Sequence, residues 1–345
     1  MKIRNFITLT LLIGLIVFSC KDDDLVDTSI PDRDRAEVYA EDIIEIEEYL
    51  STHFYNYEEF LTNSEYSDEN DSFSIVFDTI SSENGTQDKI SLMDMLDNNA
   101  LDGSSNVLRS KEVEDSSGQI YTLYYLVVRE GLGQSLHSLD KAIVSYRGTV
   151  STGDSFDGTP IPIPFNLTTF GSSAGVVEGF KEGLLEFKTS VAFTEQPNGE
   201  IIYDDHGIGA IFIPSGLGYF SQPLVGIDSY TPIFFTFNLV DRNDTDYDLD
   251  NIPSHLEDLN DNQDGYDDDT DDDGLNNFFD NDDDGDGVLT RDEDLEDMDL
   301  LVDSDGDGDP TNDKDGDGNP LNDDTDMDGT PNYLDTDDTE SRIQD

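Results

Sequence analysis

Tryptophan is absent from this 345-residue chain, cysteine occurs once, and basic residues are scarce. The single cysteine, Cys20, excludes an intrachain disulfide. Only 17 Lys and Arg face 81 Asp and Glu, for a formal net charge of -64. This imbalance argues against nucleic acid as a partner, because a polyanion would be repelled. It suits either a cation partner or a solvated surface adapted to salt, and composition alone leaves both open.

The N-terminus has the pattern of an export signal. Lys2 and Arg4 precede an apolar run over 6–18, which is short for a membrane span and typical of a secretory signal peptide over 1–19. Cys20 directly after it resembles the bacterial lipobox, in which the thiol is lipidated and joined to the membrane. The alternative is an ordinary signal peptide with a chance cysteine.

The acidic stretch 21–24 (KDDD) belongs to a tether predicted over 20–33. It resembles the export tag of surface lipoproteins in Bacteroidetes-type bacteria, although a plain acidic linker would look the same. The expected location is the bacterial cell envelope, as an outer-membrane lipoprotein. Whether it faces the periplasm or the cell surface is left open.

Apolar residues recur at helical spacing from residue 36 to residue 50, which predicts an amphipathic helix over about 34–60 within an N-terminal helical extension, 34–117. No fold is predicted for 61–115. From 118 to 240 the chain is rich in β-branched and aromatic residues, which predicts an α+β domain of antiparallel strands with one short helix. The strands are expected at 120–128, 142–146, 210–214 and 232–240, and the helix within 175–187.

The last segment, 241–345, holds 42 Asp and Glu against four Lys and Arg, with too few apolar residues for an ordinary core. Residues 282–293 match the EF-hand calcium loop, whose oxygens wrap one ion. The sharp turn at the sixth position is supplied by Gly287. The predicted ligands are Asp282, Asp284, Asp286, the Val288 carbonyl, Thr290 and Glu293.

Two further segments, 269–280 and 324–335, share the pattern D-x-D-x-D-G with a carboxylate at the twelfth position. Shorter copies begin at Asp303 and Asp313. Together these segments resemble thrombospondin type 3 repeats, in which bound calcium replaces a hydrophobic core. The alternative is a disordered acidic tail that only aids solubility, but such a tail needs no glycine at fixed positions. The additional predicted ligands are Asp269, Asp271, Asp273, Asp280, Asp324, Asp326, Asp328 and Asp335.

The central segment carries motifs in a known order. They are 144–148 (VSYRG), 153–157 (GDSFD), 164–165 (PF), 175–183 (GVVEGFKEG), 213–219 (IPSGLGY) and 232–239 (PIFFTFNL). In this order they resemble an FKBP-type peptidyl-prolyl cis–trans isomerase. This resemblance implies a twisted antiparallel sheet wrapped around a short helix. The resemblance to thrombospondin type 3 repeats implies an irregular calcium-stabilised repeat tail after it.

The resemblance to FKBP-type isomerases also implies an apolar pocket for a proline ring, with Phe180 as its floor. The implied pocket residues are Tyr146, Phe156, Asp157, Phe165, Val176, Val177, Phe180, Tyr219, Ile227 and Phe235. The Tyr219 hydroxyl is expected to hydrogen-bond a substrate carbonyl, and Asp157 to orient that region or the Tyr146 hydroxyl. No nucleophile, catalytic metal or cofactor is expected for this reaction, and the implied partners are proline-containing exported proteins.

Several positions depart from the family pattern. Phe180 stands where the family has tryptophan, Phe220 replaces a glycine, Gly226 precedes Ile227 where an aliphatic residue is common, and 190–207 is an insertion. These changes bear on rate and substrate range. They leave two rivals to the isomerase: an FKBP-like chaperone or peptide-binding module of low activity, and a calcium-stiffened adhesion stalk.

Overall fold

The computed structural model describes residues 31–96, 107–169, 174–197, 199, 201–293, 321, 323–325, 328–339 and 341. The chain divides into two units, Met1–Asp32 and Arg33–Asp345, and the described helices and strands all belong to the second. The signal peptide, Cys20, Asp326 and the short repeats at Asp303 and Asp313 lie outside the described residues. None of the described helices has the length and apolar character needed to cross a membrane.

The described residues form three α-helices and ten strands. In chain order these are α1 Arg35–Thr52, β1 His53–Tyr55, α2 Tyr57–Phe60, β2 Phe77–Thr79, β3 Val107–Glu114, β4 Ile120–Arg129, β5 Lys141–Val150, β6 Ser155–Asn166, α3 Glu178–Leu184, β7 Ala192–Glu195, β8 Ile201–Asp204, β9 Gly207–Ile213 and β10 Ile233–Asn243. Short 3₁₀ turns occupy 70–72, 93–95, 215–217, 254–256, 265–267, 277–279, 290–292 and 332–334. The α+β class expected from the sequence is what the structure shows.

The N-terminal helix is shorter than predicted. Asp34 caps it by accepting a 3.0 Å hydrogen bond from the Glu37 N–H. The helix ends at Thr52 rather than near residue 60, because His53 is extended and begins β1, which pairs with β2. The aromatic residues after it therefore lie on a strand and a separate turn of helix. Most of them are buried, as packing residues would be.

Six strands form the main sheet, in the order β3-β4-β9-β10-β5-β6, and every pairing is antiparallel. The predicted domain boundary at residue 118 falls in the turn between β3 and β4, so the segment before it supplies an edge strand. At the other end β10 continues to Asn243. The predicted insertion 190–207 contains a two-stranded hairpin, β7–β8.

Strand β6 was not predicted, because Pro160, Pro162 and Pro164 interrupt it. Proline has no N–H to give to a neighbouring strand, so it is tolerated at the edge of a sheet. β6 is an edge strand and pairs only with β5. This edge carries Phe156, Asp157 and Phe165, three of the predicted pocket residues.

The main sheet is covered on both faces. Alternate residues of β4, β9 and β10 enter two separate clusters. One cluster, the helix-side core, contains Phe180 and Leu184 of α3. The other, the extension-side core, contains Ile46, Leu50 and other residues of the N-terminal extension. Strands buried on both faces read as continuous apolar runs, which explains the sequence of β4.

A buried ion pair joins the extension to the sheet. Arg129, at the end of β4, contacts Asp71 at 2.8 Å, and neither side chain is more than 2% exposed. The Arg129 Nε also donates to the His206 carbonyl at 2.7 Å. Burial lowers the pKa of His206 to about 4, and the Arg129 charge adds to that effect. His206, to which the sequence assigned no role, is therefore a neutral packing residue beside this pair.

Candidate functional site

The predicted pocket residues come together on the helix side of the sheet. Phe180, Ile227 and Phe235 belong to the helix-side core, and the other apolar pocket residues pack against it. Their origins are β5 for Tyr146, β6 for Phe156, Asp157 and Phe165, the approach to α3 for Val176 and Val177, α3 for Phe180, the turn after β9 for Tyr219, a loop for Ile227 and β10 for Phe235.

The aromatic rings of the site are in mutual contact. The Phe180 and Phe235 rings lie 4.6 Å apart between centroids. The Tyr146 ring lies 5.4 Å from that of Phe165 and 5.9 Å from that of Phe235, while Phe156 meets Phe235 at 5.6 Å. Phe180 and Phe235 are buried and the other three are partly exposed. Phe180 thus lies beneath the exposed rings, as a floor residue would.

Glycines in strand β5 and in helix α3 make this packing possible. Gly148 lies between Asp157 and Phe235 in the sheet register, and a Cβ there would come within 2.6 Å of the Phe156 ring and 2.9 Å of the Phe235 ring. In α3, a Cβ at Gly183 would lie 2.4 Å from Ile211. The motif glycines therefore let the aromatic rings and the helix lie directly on the strands.

Tyr146 and Asp157 form the polar edge of the pocket. The Tyr146 hydroxyl donates to the Asp157 Oδ2 at 2.7 Å. Burial raises the pKa of Tyr146, and its hydrogen bond to Asp157 raises it further. Tyr146 therefore stays protonated and acts as a donor. The Tyr146 hydroxyl is one of the two groups that Asp157 was expected to orient.

Tyr219 lies half-buried on a turn that the N-terminal helix holds in place. Burial raises the pKa of Tyr219, with a smaller contribution from the Asp157 charge. Within the described residues no hydrogen bond to its hydroxyl is present. The turn begins at Ser215, whose N–H and hydroxyl donate to the Asp42 Oδ2 of α1 at 2.8 and 2.6 Å. A helix outside the motif-bearing segment thus fixes one wall of the pocket.

Phe220, the residue that departs most from the family pattern, is also held by α1. Its backbone is left-handed, with φ 48°, which is costly for a bulky residue and explains the glycine usual there. The Arg35 guanidinium lies 4.2 Å from the centre of its ring, and Tyr230 packs edge-on against it at 5.1 Å. These contacts compensate for the backbone conformation.

A concavity of about 700 Å³ opens beside the same edge of the sheet. It shares Tyr146, Phe156 and Asp157 with the aromatic pocket. Its remaining wall is different, because segment 74–76 of the extension and polar side chains such as Arg147 and Asn238 line it. The Tyr146–Asp157 pair thus stands between the aromatic pocket and a groove lined by both polar and apolar side chains.

The acidic tail forms a second candidate site. Carboxylate oxygens of Asp282, Asp284 and Asp286 lie within 4.8 Å of one another, and so do those of Asp269, Asp271 and Asp273. In the first group the Gly287 N–H donates to the Asp282 Oδ1 at 3.3 Å. The twelfth residue of that loop, Glu293, is fully buried, and neither of its carboxylate oxygens has a hydrogen-bond partner in the part of the chain that the structure describes. Carboxylate oxygens that converge in this way suit Ca²⁺.

The other predicted ligands of the tail differ in their surroundings. Val288 is partly exposed, and Asp280 is partly exposed with a pKa raised by burial. The Thr290 hydroxyl is engaged within the protein, donating to the Asp283 Oδ2 at 3.2 Å. Asp324 accepts from the Gly329 N–H at 2.9 Å.

Neighbouring acids act on one another across these loops. Burial, with the charges of Asp286, Asp282 and Asp335, raises the pKa of Asp284 to about 6. Asp328 and Asp335 lie in the same loop as Asp324. The 324–335 loop thus brings a carboxylate near the 282–293 loop.

The tail is docked on the central domain by contacts that the sequence did not predict. His137 Nε2 lies 3.0 Å from the Asp258 Oδ2. The Tyr266 hydroxyl donates to the Thr169 carbonyl at 3.1 Å, on the loop that leads to Val176. No sequence pattern indicates these pairs, because each joins residues more than ninety positions apart.

Comparison with known proteins finds partial matches to FKBP-type isomerases. No protein-family model matches the chain. It is 24% identical over 147 residues to an FKBP-type peptidyl-prolyl cis-trans isomerase, FkpA, of Buchnera aphidicola subsp. Baizongia pistaciae, a match over 42% of this chain and 50% of that protein. The chain therefore spans about half the length of the curated relative it matches.

Solved structures of the same kind are also similar to part of the chain. FkpA of Escherichia coli matches with 27% identity and a TM-score of 0.28, over 38% of this chain and 51% of that one. A peptidyl-prolyl cis-trans isomerase of Pseudomonas syringae pv. tomato matches with 20% identity and a TM-score of 0.28, over 38% and 80%. TM-scores of this size carry no argument about the fold. The sequence likeness relates part of the chain, weakly, to FKBP-type isomerases.

Proposed function

We propose that the central domain is a peptidyl-prolyl cis–trans isomerase that acts on X–Pro bonds of exported proteins. The observation that carries the proposal is the aromatic cluster floored by Phe180 and edged by the Tyr146–Asp157 hydrogen bond. The partial sequence likeness to an FKBP-type isomerase supports it independently.

Isomerisation of an X–Pro bond is favoured by an aromatic surface of this kind. Rotation about an X–Pro bond breaks amide resonance, against a barrier of ~18–20 kcal/mol, and changes no covalent bond. A twisted amide is less polar than a planar one, so a water-poor aromatic pocket that grips the proline ring favours it. The Tyr219 hydroxyl hydrogen-bonds a substrate carbonyl and holds the peptide in a turn. Asp157 holds the Tyr146 hydroxyl in place and does not act as a base.

The test is a proline-peptide isomerisation assay on the full chain with calcium present. Tyr219→Phe and Asp157→Ala should each lower kcat/KM, by about fivefold to tenfold, as the loss of one hydrogen bond predicts. Tyr203→Phe and Asp68→Ala are matched controls away from the site and should leave the rate unchanged. A wild-type rate equal to that of buffer would overturn the proposal.

A second candidate is a peptide-binding or chaperone module with little isomerase activity. The observation in its favour is the smaller floor residue, Phe180, together with the strained Phe220 beside Tyr219. This candidate predicts that the protein prevents aggregation of an unfolded client while its isomerisation rate stays at the buffer level. Tyr219→Phe would then weaken peptide binding without any change in rate.

Two further proposals concern the ends of the chain. Cys20 carries a lipid that anchors the protein in the bacterial envelope, a proposal supported by the apolar run and the lone cysteine before the acidic tether. Metabolic labelling with a radioactive fatty acid should mark the wild type and a Ser19→Ala control but not Cys20→Ala.

The tail binds calcium through the loops 269–280, 282–293 and 324–335. The converging carboxylates of the first two loops support this proposal, and the third loop shares their sequence pattern. Calcium should compact the chain in small-angle scattering, and no change at millimolar calcium would refute this. If the tail also serves as an adhesion stalk, it should bind cell surfaces only with calcium.

A further inference from the structure

A fourth loop, 246–257, closes in the same way as the three loops identified by sequence. In 269–280, 282–293 and 324–335, the N–H of the second residue donates to a side-chain oxygen of the ninth. The ninth N–H donates to the carbonyl of the residue before the loop. In 246–257 the Tyr247 N–H likewise donates to the Ser254 Oγ at 3.2 Å, and the Ser254 N–H to the Thr245 carbonyl at 2.7 Å.

The four loops also share their turns. Each has a 3₁₀ turn that begins at its ninth residue, which is Ser254 in the new loop. The sixth residue of the other loops is a glycine with φ between 96° and 100°. In the new loop it is Asn251, with φ 82°. Asparagine tolerates this left-handed conformation better than other non-glycine residues, so the loop keeps its shape without the glycine that marks the motif.

The loop gathers carboxylates from its own residues and from one neighbour. Oxygens of Asp246, Asp248 and Asp250 lie within 4.8 Å of one another, and so do those of Asp250, Glu257 and Asp283. Asp283 comes from the second position of the 282–293 loop. Asp250 and Glu257 are 0% exposed and Asp283 is 1% exposed.

Several of these oxygens are buried without a hydrogen bond. Among the described residues, both carboxylate oxygens of Glu257 and of Asp248 lack a hydrogen-bond partner, as does one oxygen each of Asp250 and Asp283. Within the described part of the chain, no lysine, arginine or histidine pairs with any of the five acids. Buried charges without partners are costly, so this arrangement of acids favours a bound cation.

We propose that Asp246, Asp248, Asp250 and Glu257, completed by Asp283 of the neighbouring loop, form a calcium site. The donor set consists only of carboxylate oxygens, which suits the hard cation Ca²⁺ with its six to eight oxygen ligands. It lacks the sulfur and imidazole ligands that favour zinc or copper. None of these five residues was a predicted ligand, so the site is distinct from those of the 269–280, 282–293 and 324–335 loops.

This ion joins the tail to the central domain. Thr245, directly before the loop, donates to the Leu139 carbonyl at 2.7 Å, and Asp258, directly after it, contacts His137 at 3.0 Å. Both ends of the loop therefore rest on segment 137–139 of the central domain. Because Asp283 reaches in from the next loop, the same ion ties two consecutive loops together.

The experiment counts calcium ions bound to the full chain by native mass spectrometry, with Glu257→Gln as the test variant. The expected result is one ion fewer than in the wild type. Asp261→Asn, which removes an exposed acid of the same segment, should bind as many ions as the wild type. Glu293→Gln should lose a different ion, so the double variant Glu257→Gln/Glu293→Gln should lose two. An equal count for Glu257→Gln and wild type would overturn the proposal.

Hydrogen exchange of the same proteins supplies the second readout. With calcium, segment 244–258 should exchange at least tenfold faster in Glu257→Gln than in Asp261→Asn, while β9 and β10 keep their protection. If Glu257→Gln does not fold, Asp248→Asn replaces it with the same expected count. Neither measurement depends on isomerase activity, so a failure here and a failure of the isomerase proposal remain distinguishable.

Discussion

The central sheet and the acidic tail differ in how many charged side chains they bury. In the sheet, residues such as Phe180, Phe235 and Phe212 are buried among other apolar side chains on both faces. In the tail, the most deeply buried side chains include Glu257, Asp283 and Glu293. An apolar interior is stable in water alone, whereas an interior of carboxylates needs a counter-ion. The two regions should therefore respond to different perturbations.

In the sheet, a buried acidic side chain is paired with a basic side chain. The Asp71 side chain is buried, but Arg129 lies against it at 2.8 Å. The tail has few basic residues with which to do the same, since only four Lys and Arg occur after residue 240. In the sheet the positive charge comes from a side chain, and in the tail we propose that it comes from calcium.

Calcium removal is the strongest way to separate the two regions. With a chelator in excess, amides of 245–293 should lose their protection from hydrogen exchange, because the carboxylates repel one another once the ions leave. The sheet should keep its protection. The control sample contains magnesium in place of calcium, at the same concentration. Equal loss of protection in both regions would mean that the sheet depends on the ions too.

Truncation of a core side chain should destabilise the apolar interior of the sheet, whereas a chelator should not. Phe180→Ala should lower the free energy of unfolding of the central domain by about 3–5 kcal/mol, because it leaves a cavity beneath the aromatic pocket. Phe193→Ala, on the exposed hairpin, is the matched control and should change it by less than about 0.5 kcal/mol. Urea unfolding in calcium measures both. If the loss of unfolding free energy in Phe180→Ala depended on calcium, the expectation that the apolar core is independent of the ions would be contradicted.

Among the described residues, no basic side chain pairs with Asp42, a buried acid of α1, and the cost of burying it should appear as a pH dependence of stability. Burial raises the pKa of Asp42 from 3.8 to about 6, although its hydrogen bonds from Ser215 oppose this. The folded state therefore holds the Asp42 proton more tightly than the unfolded state does. The resulting contribution to the free energy of unfolding is fully present below pH 3.8 and is lost as the pH rises through about 6.

Asp42→Asn should remove the loss of stability that the wild type shows as the pH rises. Relative to the wild type, the variant should gain up to about 3 kcal/mol of unfolding free energy between pH 4 and pH 6.5, as two pKa units imply. Glu48→Gln, an exposed acid on the same helix, should follow the wild type across this range. Urea unfolding at each pH, with calcium held constant, makes the measurement. Parallel curves for wild type and Asp42→Asn would contradict the expected shift.

The smallest effect is expected at Phe220, where the central region carries backbone strain. Phe220→Ala and Phe220→Gly both lose the contact with Arg35, but only glycine adopts φ 48° without a steric penalty. Phe220→Gly should therefore be more stable than Phe220→Ala by about 1 kcal/mol. At Leu185, with ordinary helical φ, the order of the two substitutions should reverse. An alanine variant as stable as the glycine variant would show that the turn relaxes.

The sequence predicted the elements whose pattern is local. β4, β5, β9, β10 and α3 lie where their β-branched, aromatic or helical patterns placed them, within a few residues. β6 was missed because its prolines contradict strand propensity, and only its place at the edge of the sheet permits them. The end of α1 was misplaced, because the pairing of β1 with β2, more than twenty residues later, decides it.

The site was predictable to the extent that motifs specify it. Apart from Ile227, which lies on a loop, the pocket residues belong to motifs that lie on or next to the strands and α3, and this placement makes them converge. The contacts of Asp42 and Arg35 with the pocket turn could not be predicted, since they join positions more than 170 residues apart. The loop 246–257 escaped notice because Asn251 stands where the motif has glycine, and backbone geometry is what reveals it.

The prolines of β6 have a consequence for how the protein meets other chains. The outer edge of a sheet is a template on which an unfolded polypeptide can add a strand and aggregate. Pro160, Pro162 and Pro164 remove three N–H donors from this edge, which runs beside the aromatic pocket. At the opposite edge, β3 carries Arg109 and Lys111. A protein that handles incompletely folded clients would thus offer them a surface for side chains while denying them a partner for their backbone.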